Sequence, residues 1–410
     1  MLALRCARVF DGERFGPGPA TVLLDAGRVV GVEDGHPDVG TNCQVIDQSD
    51  RVALPGLIDT HTHLICDSRP NALDRAAAAP VADLDAVVGE SLARQLAAGV
   101  TTVRDLGDRD YVVVAHRDRR RAAGGAVPEP TVIASGPPLT VPGGHCHFLG
   151  GVVDGPTAIV DAIRDHAERG VDLIKVMASG GMSTPGTATV ATQFPDEQLR
   201  LIVQEAHDAG LPVTAHAHWL AAIQQAVEAG VDGVEHCSCL TASGVDLPEL
   251  LVDALAERQV AVGGVIPPPP AVFLRYAPPA VRQMMESSGM SAERVREVRA
   301  GMIRRLSDAG VPLVTGLDAG LNPWLAHGRL TRAIGLFADA GRSAAQVLAA
   351  ATSTAARVFG LGDRKGWLRP GFDADVVLVD ADPTADVATA VQRVAAVYRA
   401  GVQVALSPPD

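Results

Sequence analysis

Five times along this chain an Ala-rich stretch ends in glycine and an apolar run led by Val or Leu starts at the next residue. The junctions are Gly99-Val100, Gly170-Val171, Gly210-Leu211, Gly230-Val231 and Gly310-Val311. A glycine just past a helix takes the left-handed conformation that closes the last turn, so each junction reads as helix, cap, strand. From Asp196 the apolar residues Leu199, Ile202, Val203 and Ala206 share one helical face, with Asp196 expected to cap the N-terminus. The runs after the caps are apolar on consecutive positions, as strands covered on both faces of a parallel sheet must be. They are Leu57-Ile58, Val100 to Val103, Thr131 to Ala134, Leu173 to Met177, Val213 to Ala215, Val231 to Val234, Val260 to Val265 and Leu313-Val314. Eight such runs alternating with helices are the count of a (β/α)8 TIM barrel. An open doubly wound sheet has the same local pattern, but no GxGxxG follows the first run to favour it.

The flanks have another texture. Residues 1–54 read as short strands with turns at Asp11-Gly12, Gly16 to Pro19 and Asp25-Ala26-Gly27, and strands return at Ala374 to Asp380 and Ala395 to Ala405. Neither end has strands enough to stand alone. The expected organisation is a barrel over 55–360 and a small composite β-sandwich from 1–54 and 361–410. Pro267 to Pro270 reads as a rigid loop after the seventh run.

Composition narrows the partner. The 35 Lys and Arg against 48 Asp and Glu leave a net charge of −13, which argues against nucleic acid and anionic membrane and leaves a small-molecule substrate. With 47% apolar but only 3% aromatic residues the core is built from Ala, Val, Leu and Ile. The six cysteines are scattered, as reduced thiols would be. No signal peptide and no membrane-spanning run is visible, so a cytoplasmic location is expected. The oligomeric state stays open, a homo-oligomer included.

In a parallel barrel the carboxyl ends of the strands carry the chemistry. The first run leads into His61-Thr62-His63, the fourth contains Lys175, and the fifth, sixth and eighth lead into His216, His236 and Asp318. Two histidines two apart on an extended strand put both imidazoles on one face, where they can chelate one ion. Singly, each residue has an ordinary structural use: a core histidine, a snorkelling lysine, a helix-capping aspartate. Their joint placement at successive strand ends does not.

With those residues in view the chain resembles the amidohydrolase superfamily, and more narrowly its imidazolonepropionase-like branch, which includes prolidase-type dipeptidases. The matching segments are LPGLIDTHTHL (54–64), GVTTVRDLG (99–107), GGHCH (143–147), IKVMASGGMSTPG (174–186), TAHAHW (214–219), AGVDGVEHCS (229–238), VTGLDAG (314–320) and GWLRPGFDADVVLVDADP (366–383). The resemblance implies two divalent metal ions, zinc first among candidates. His61, His63 and Asp318 would hold the more buried ion, and His216 and His236 the more exposed one. Lys175, N6-carboxylated by CO2, would bridge ions about 3.5–4 Å apart. It further implies a metal-bridging hydroxide as nucleophile, Asp318 as the group that passes its proton to the leaving nitrogen, and hydrolysis of an amide C–N bond.

The same resemblance brings His145 of the GGHCH loop, with His147 as a weaker partner, and His218 toward substrate. Trp219 and Cys237 stand where relatives usually carry glycine, and Leu317 where they carry Thr or Ser, so each adds bulk near the pocket. Arg104 can bind a substrate carboxylate or, more simply, form an internal salt bridge. The expected substrate is a dipeptide or N-acyl amino acid. Two alternatives stand beside it: ring opening of a cyclic amide, imidazolone or lactone, and a metal-binding scaffold without catalysis.

Overall fold

The computed structural model describes the chain except residues 125–127, 182–183, 185, 188–190, 264–268, 277–278 and 406–410. Strands β1 (Leu2–Val9), β2 (Ala20–Asp25), β3 (Arg28–Asp34) and β4 (Gln44–Pro55) follow one another without an intervening helix. Ala26 and Gly27 turn the β2–β3 hairpin with φ of 45° and 79°, the two-residue turn whose twist suits the flanking strands. Next come β5 (Leu57–Thr62), β6 (Val100–Asp105), β7 (Thr131–Ala134), β8 (Ile174–Met177), β9 (Val213–Trp219) and β10 (Gly233–Thr241). The short β11 (Gly244–Val245), β12 (Ala261–Gly263) and β13 (Leu313–Val314) follow, then β14 (Val376–Val379), β15 (Val394–Arg399) and β16 (Val402–Val404).

The barrel consists of two parallel arcs, β5-β6-β7 and β8-β9-β10-β12-β13. Parallel bridges join them at both seams, Leu139 with Val176 and Thr62 with Ala319. At one seam the Leu139 N–H donates to the Lys175 carbonyl at 2.8 Å, and at the other the His63 N–H donates to the Ala319 carbonyl at 2.8 Å. The architecture is a (β/α)8 barrel. All five capping glycines have positive φ: 85° at Gly99, 73° at Gly170, 74° at Gly210, 93° at Gly230 and 81° at Gly310. Strands β9 and β10 run past their apolar stretches into the histidines, because the backbone ladder continues whatever the side-chain polarity.

β1–β4 and β14–β16 share one sheet, in the order β16-β15-β14-β4-β1-β2-β3. On the central strands β4 and β14 the residues alternate between two faces. Val52, Leu54, Val377 and Val379 face the barrel core, while Ala53, Val376 and Leu378 face a second core with Leu4, Cys6, Val22, Leu24, Ala396 and Tyr398. β2 and β15 are far apart in the sheet order yet share that core, so the sheet rolls over it as a sandwich.

Two local expectations are corrected. The helix Asp196–Asp208 is capped by Pro195, and Asp196 is its first residue; its carboxylate instead accepts from Gln225 at 2.7 Å. Proline at the cap sets the entry angle, and an acid in the first turn still suits the helix dipole. In the proline run, Pro270 opens the helix Pro270–Tyr276, a position that needs no N–H. Pro267 and Pro268 lie outside the described residues, as do the last two residues of the Val260 to Val265 run. All six cysteines are buried and unpaired in disulfides, and no helix among the described residues is long and apolar enough to cross a membrane.

A buried ion cluster ties the sheet to the barrel. Asp375 is held by Lys365 at 2.7 Å, Arg399 at 2.8 Å and the Ala400 N–H at 2.9 Å, while Arg399 also donates to Thr131 of β7 at 2.9 Å. Burial alone would raise the Asp375 carboxyl, but Lys365 and Arg399 outweigh it and hold it below its ordinary value. A carboxyl depressed in the folded state adds stability that is full above its unfolded pKa of about 3.9 and is lost as pH falls through the folded value. Asp375→Asn leaves Arg399 without a carboxylate and Lys365 with Asp373 alone at 2.9 Å, and should cost about 3–5 kcal/mol in denaturant unfolding near neutral pH, with the gap to wild type closing in strong acid.

Candidate active site

His61 and His63 leave the end of β5 with their rings 5.4 Å apart. Across the seam stands Asp318, whose Oδ1 lies 3.4 Å from His61 Nε2 and 3.1 Å from His63 Nε2. These three residues present one donor atom each within 4.8 Å of one another, and so do His216, His218 and His236 from β9 and β10. The two groups adjoin: His61 and His236 have ring centroids 5.2 Å apart, His216 and His236 4.7 Å. His145 brings its ring to 4.6 Å from His216.

The donor set is made for cations. Burial lowers His61, His216 and His236, leaving them neutral with lone pairs to offer. His63 is likewise desolvated, but its hydrogen bond and charge pairing with Asp318 outweigh burial and raise it. Burial would raise Asp318; the His63 imidazole, itself raised by the same contact, outweighs it and keeps the carboxylate ionised. Lys175 on β8 is buried, and its Nζ has no hydrogen-bond partner among the described residues; His216 Nε2 is in the same position. An unpaired amine and imidazole in a buried site cost several kcal/mol unless a ligand takes them up. Divalent ions fit these residues.

The backbone is strained here. His236, Cys237 and Asp318 have φ of 66°, 44° and 61°, in the left-handed region that residues other than glycine rarely adopt. Arg299, buried on the helix Ala292–Asp308, compensates by donating to the His236 carbonyl and, at 2.6 Å, to the Cys237 carbonyl.

The structure gathers His61, His63, Lys175, His216, His236, Asp318, His145 and His218 at one end of the barrel. Asp318, expected beside the more buried ion, is the most exposed of the six expected ligands, because its loop forms the rim. His218, read as a substrate contact, stacks on His236 at 4.6 Å and belongs geometrically to the second donor group. Ser238 holds its Nδ1 at 2.8 Å. Trp219 is half-buried against the barrel core at the end of β9.

Two residues point elsewhere. His147 is exposed and folds back on its own loop, Nδ1 3.0 Å from the Gly144 carbonyl, because the turn His147–Leu149 rotates it away from His145. Arg104 points inside the barrel, where its Nε donates to the Thr60 carbonyl at 2.7 Å and its Nη2 to Glu235. A guanidinium buried at that depth must pair, and the internal salt bridge is the use it has.

Several contributors escaped the sequence reading. Glu235 contacts His61, and its signal was present: a carboxylate standing between the end of an apolar run and a candidate ligand. Thr184 holds His145 Nδ1 at 2.8 Å while accepting the Cys146 N–H at 3.0 Å. Gly181 seats the His145 ring, since a Cβ there would lie 2.1 Å from Nε2. These contacts join separate loops, and no spacing encodes them.

Residues 52–404 match the model of the amidohydrolase family. The chain belongs to that family. Among curated relatives, the ochratoxinase of Aspergillus niger is 28% identical over 366 residues, covering 82% of this chain and 72% of that one. Among solved structures, a Xaa-Pro dipeptidase with methionine bound in its active site superposes with a TM-score of 0.85 at 24% identity, over 98% of this amidohydrolase and 99% of that chain. A prolidase complexed with N-methylphosphonate-L-proline gives a TM-score of 0.80 at 27% identity over 98% and 99%.

Proposed function

We propose that this amidohydrolase hydrolyses the amide C–N bond of a small dipeptide or N-acyl amino acid in a binuclear metal centre. The observation that carries the reading is the buried Lys175 amine, without a hydrogen-bond partner among the described residues, beside two adjoining donor groups, His61–His63–Asp318 and His216–His236 with His218 at hand. The family's relatives that act on dipeptides and on ochratoxin support the choice of bond. In this reading a carboxylated Lys175 would join His61, His63, His216, His236 and Asp318 in holding the ions, for which zinc suits an imidazole-rich set. Bound there, the ions would acidify a water molecule and polarise the scissile carbonyl.

The chain's own residues do the rest. Asp318, ionised and at the rim, accepts the proton released by the attacking water and returns it to the leaving nitrogen, so that an amine departs rather than an amide anion. Burial takes His145 and His218 down to about 3, so both act as neutral hydrogen-bonding groups, suited to a carbonyl oxygen as charge grows on it.

The test is metal content by elemental mass spectrometry on protein purified without chelator and with bicarbonate present, followed by a library of dipeptides and N-acyl amino acids. About two ions per chain and turnover of linear amides are expected. Turnover of cyclic amides or lactones alone would replace the proposed bond with ring opening. No turnover of any substrate by fully loaded protein would make the scaffold reading the better one.

A further inference from the structure

We infer that Glu235 fixes the tautomer and aim of His61 and thereby sets the affinity of the His61–His63–Asp318 group for its ion. The inference rests on the metal-dependent reading above. Glu235 lies wholly inside the barrel on β10, and its Oε2 is 3.0 Å from His61 Nδ1. A carboxylate only accepts, so the Nδ1 carries the proton and the Nε2 lone pair is left to face Asp318 and His63. Two acceptors, His61 Nε2 and Asp318 Oδ1, then confront each other at 3.4 Å, an arrangement that a cation between them makes favourable.

Glu235 is itself over-determined. Its Oε1 receives the Arg104 guanidinium and, at 2.8 Å, the Thr214 hydroxyl. Arg104 also grips the Thr60 carbonyl at 2.7 Å, next to His61 in the chain, and its guanidinium lies 4.0 Å above the Phe359 ring. Gly263 on β12 leaves the space: a Cβ there would stand 2.4 Å from Glu235 Oε2. Four strands, β5, β6, β9 and β10, thus hold one carboxylate against one imidazole nitrogen. Mere charge balance for Arg104 would need no contact with His61.

Glu235→Gln keeps the shape but no longer guarantees an acceptor at His61 and strands the Arg104 charge; Arg104→Met/Glu235→Gln removes that stranded charge. Zinc affinity is measured by competition with a chromophoric chelator, alongside thermal unfolding. Both variants should bind one of two ions about 10–100-fold more weakly, with the other ion unaffected, and the double variant should recover stability without recovering affinity. Wild-type affinity in a folded variant that has lost only thermal stability overturns the inference. A readout independent of variant folding is the long-range proton–nitrogen spectrum of the wild-type chain without metal, His61 being assigned by the signal missing in His61→Asn. The Nδ1–H form is expected, and the Nε2–H form overturns the assignment. A wild-type chain that binds no divalent ion would defeat the proposed function instead, and the tautomer would still be measurable.

Discussion

Asp318→Asn should reduce kcat by about 10²–10⁴-fold while leaving KM within a few-fold of wild type. The two side chains have the same size, so the rim loop and its left-handed backbone at φ 61° are kept, and asparagine tolerates that region as well as aspartate does. What is lost is the charge and the ability to accept a proton. In the wild-type protein the His63 imidazole beside it holds this carboxylate ionised against the pull of burial, so its charge and free lone pairs are in place when the attacking water releases a proton. An amide in its place can still present an oxygen to an ion but cannot carry a proton to the leaving nitrogen. Steady-state kinetics with metal content measured on the same samples separates the two duties. A slow variant with its ions retained identifies proton transfer; equal loss of metal and rate reduces Asp318 to a ligand; a near-normal rate removes it from the mechanism.

What could be read from the sequence follows from which forces are local. The Gly-Val junctions and the buried face from Leu199 to Ala206 are set by helix capping and hydrophobic periodicity, so the alternation of helix and strand was legible, and the five caps have the backbone they were expected to have. The strand-end rule then placed His61, His63, Lys175, His216, His236 and Asp318 on one face of the barrel. Closure itself rests on the Thr62 to Ala319 and Leu139 to Val176 bridges, which join residues with no sequence relation. Side-chain direction was harder still. His147 and His145 are two residues apart in sequence, but one turn of backbone sends the first to solvent and the second to His216. Arg104 ends its strand among candidate ligands yet is drawn inward, because Glu235 offers a buried charge and the rim does not. The partners of His61 and His145, Glu235 and Thr184, are 174 and 39 residues away, and only the folded chain brings them into contact.

Lys175→Ala distinguishes a working lysine from a buried misfit, because the two readings differ in the sign of the stability change. Burial brings the Lys175 amine down to about 8, so a sizeable neutral fraction exists at mildly alkaline pH. A neutral amine adds carbon dioxide: the nitrogen lone pair forms the new N–C bond, one C=O π pair moves to oxygen, and a proton leaves to solvent. The resulting carbamate is anionic, with two oxygens to share among neighbouring cations. If Lys175 is only a desolvated amine without a partner, removing it relieves an unpaid desolvation cost, and the alanine variant should be as stable as wild type or more so, with its ions intact. If it bridges the ions, the same variant should lose at least one ion and activity on the order of 10³-fold, and short carboxylates such as acetate should restore part of both by occupying the vacated space. The pH dependence has a definite sign. Reactivation of metal-stripped wild-type protein by bicarbonate and zinc should quicken as pH rises toward and through about 8, following the neutral amine. A reactivation rate that is flat in pH, at constant dissolved carbon dioxide, would leave the amine out of the metal centre.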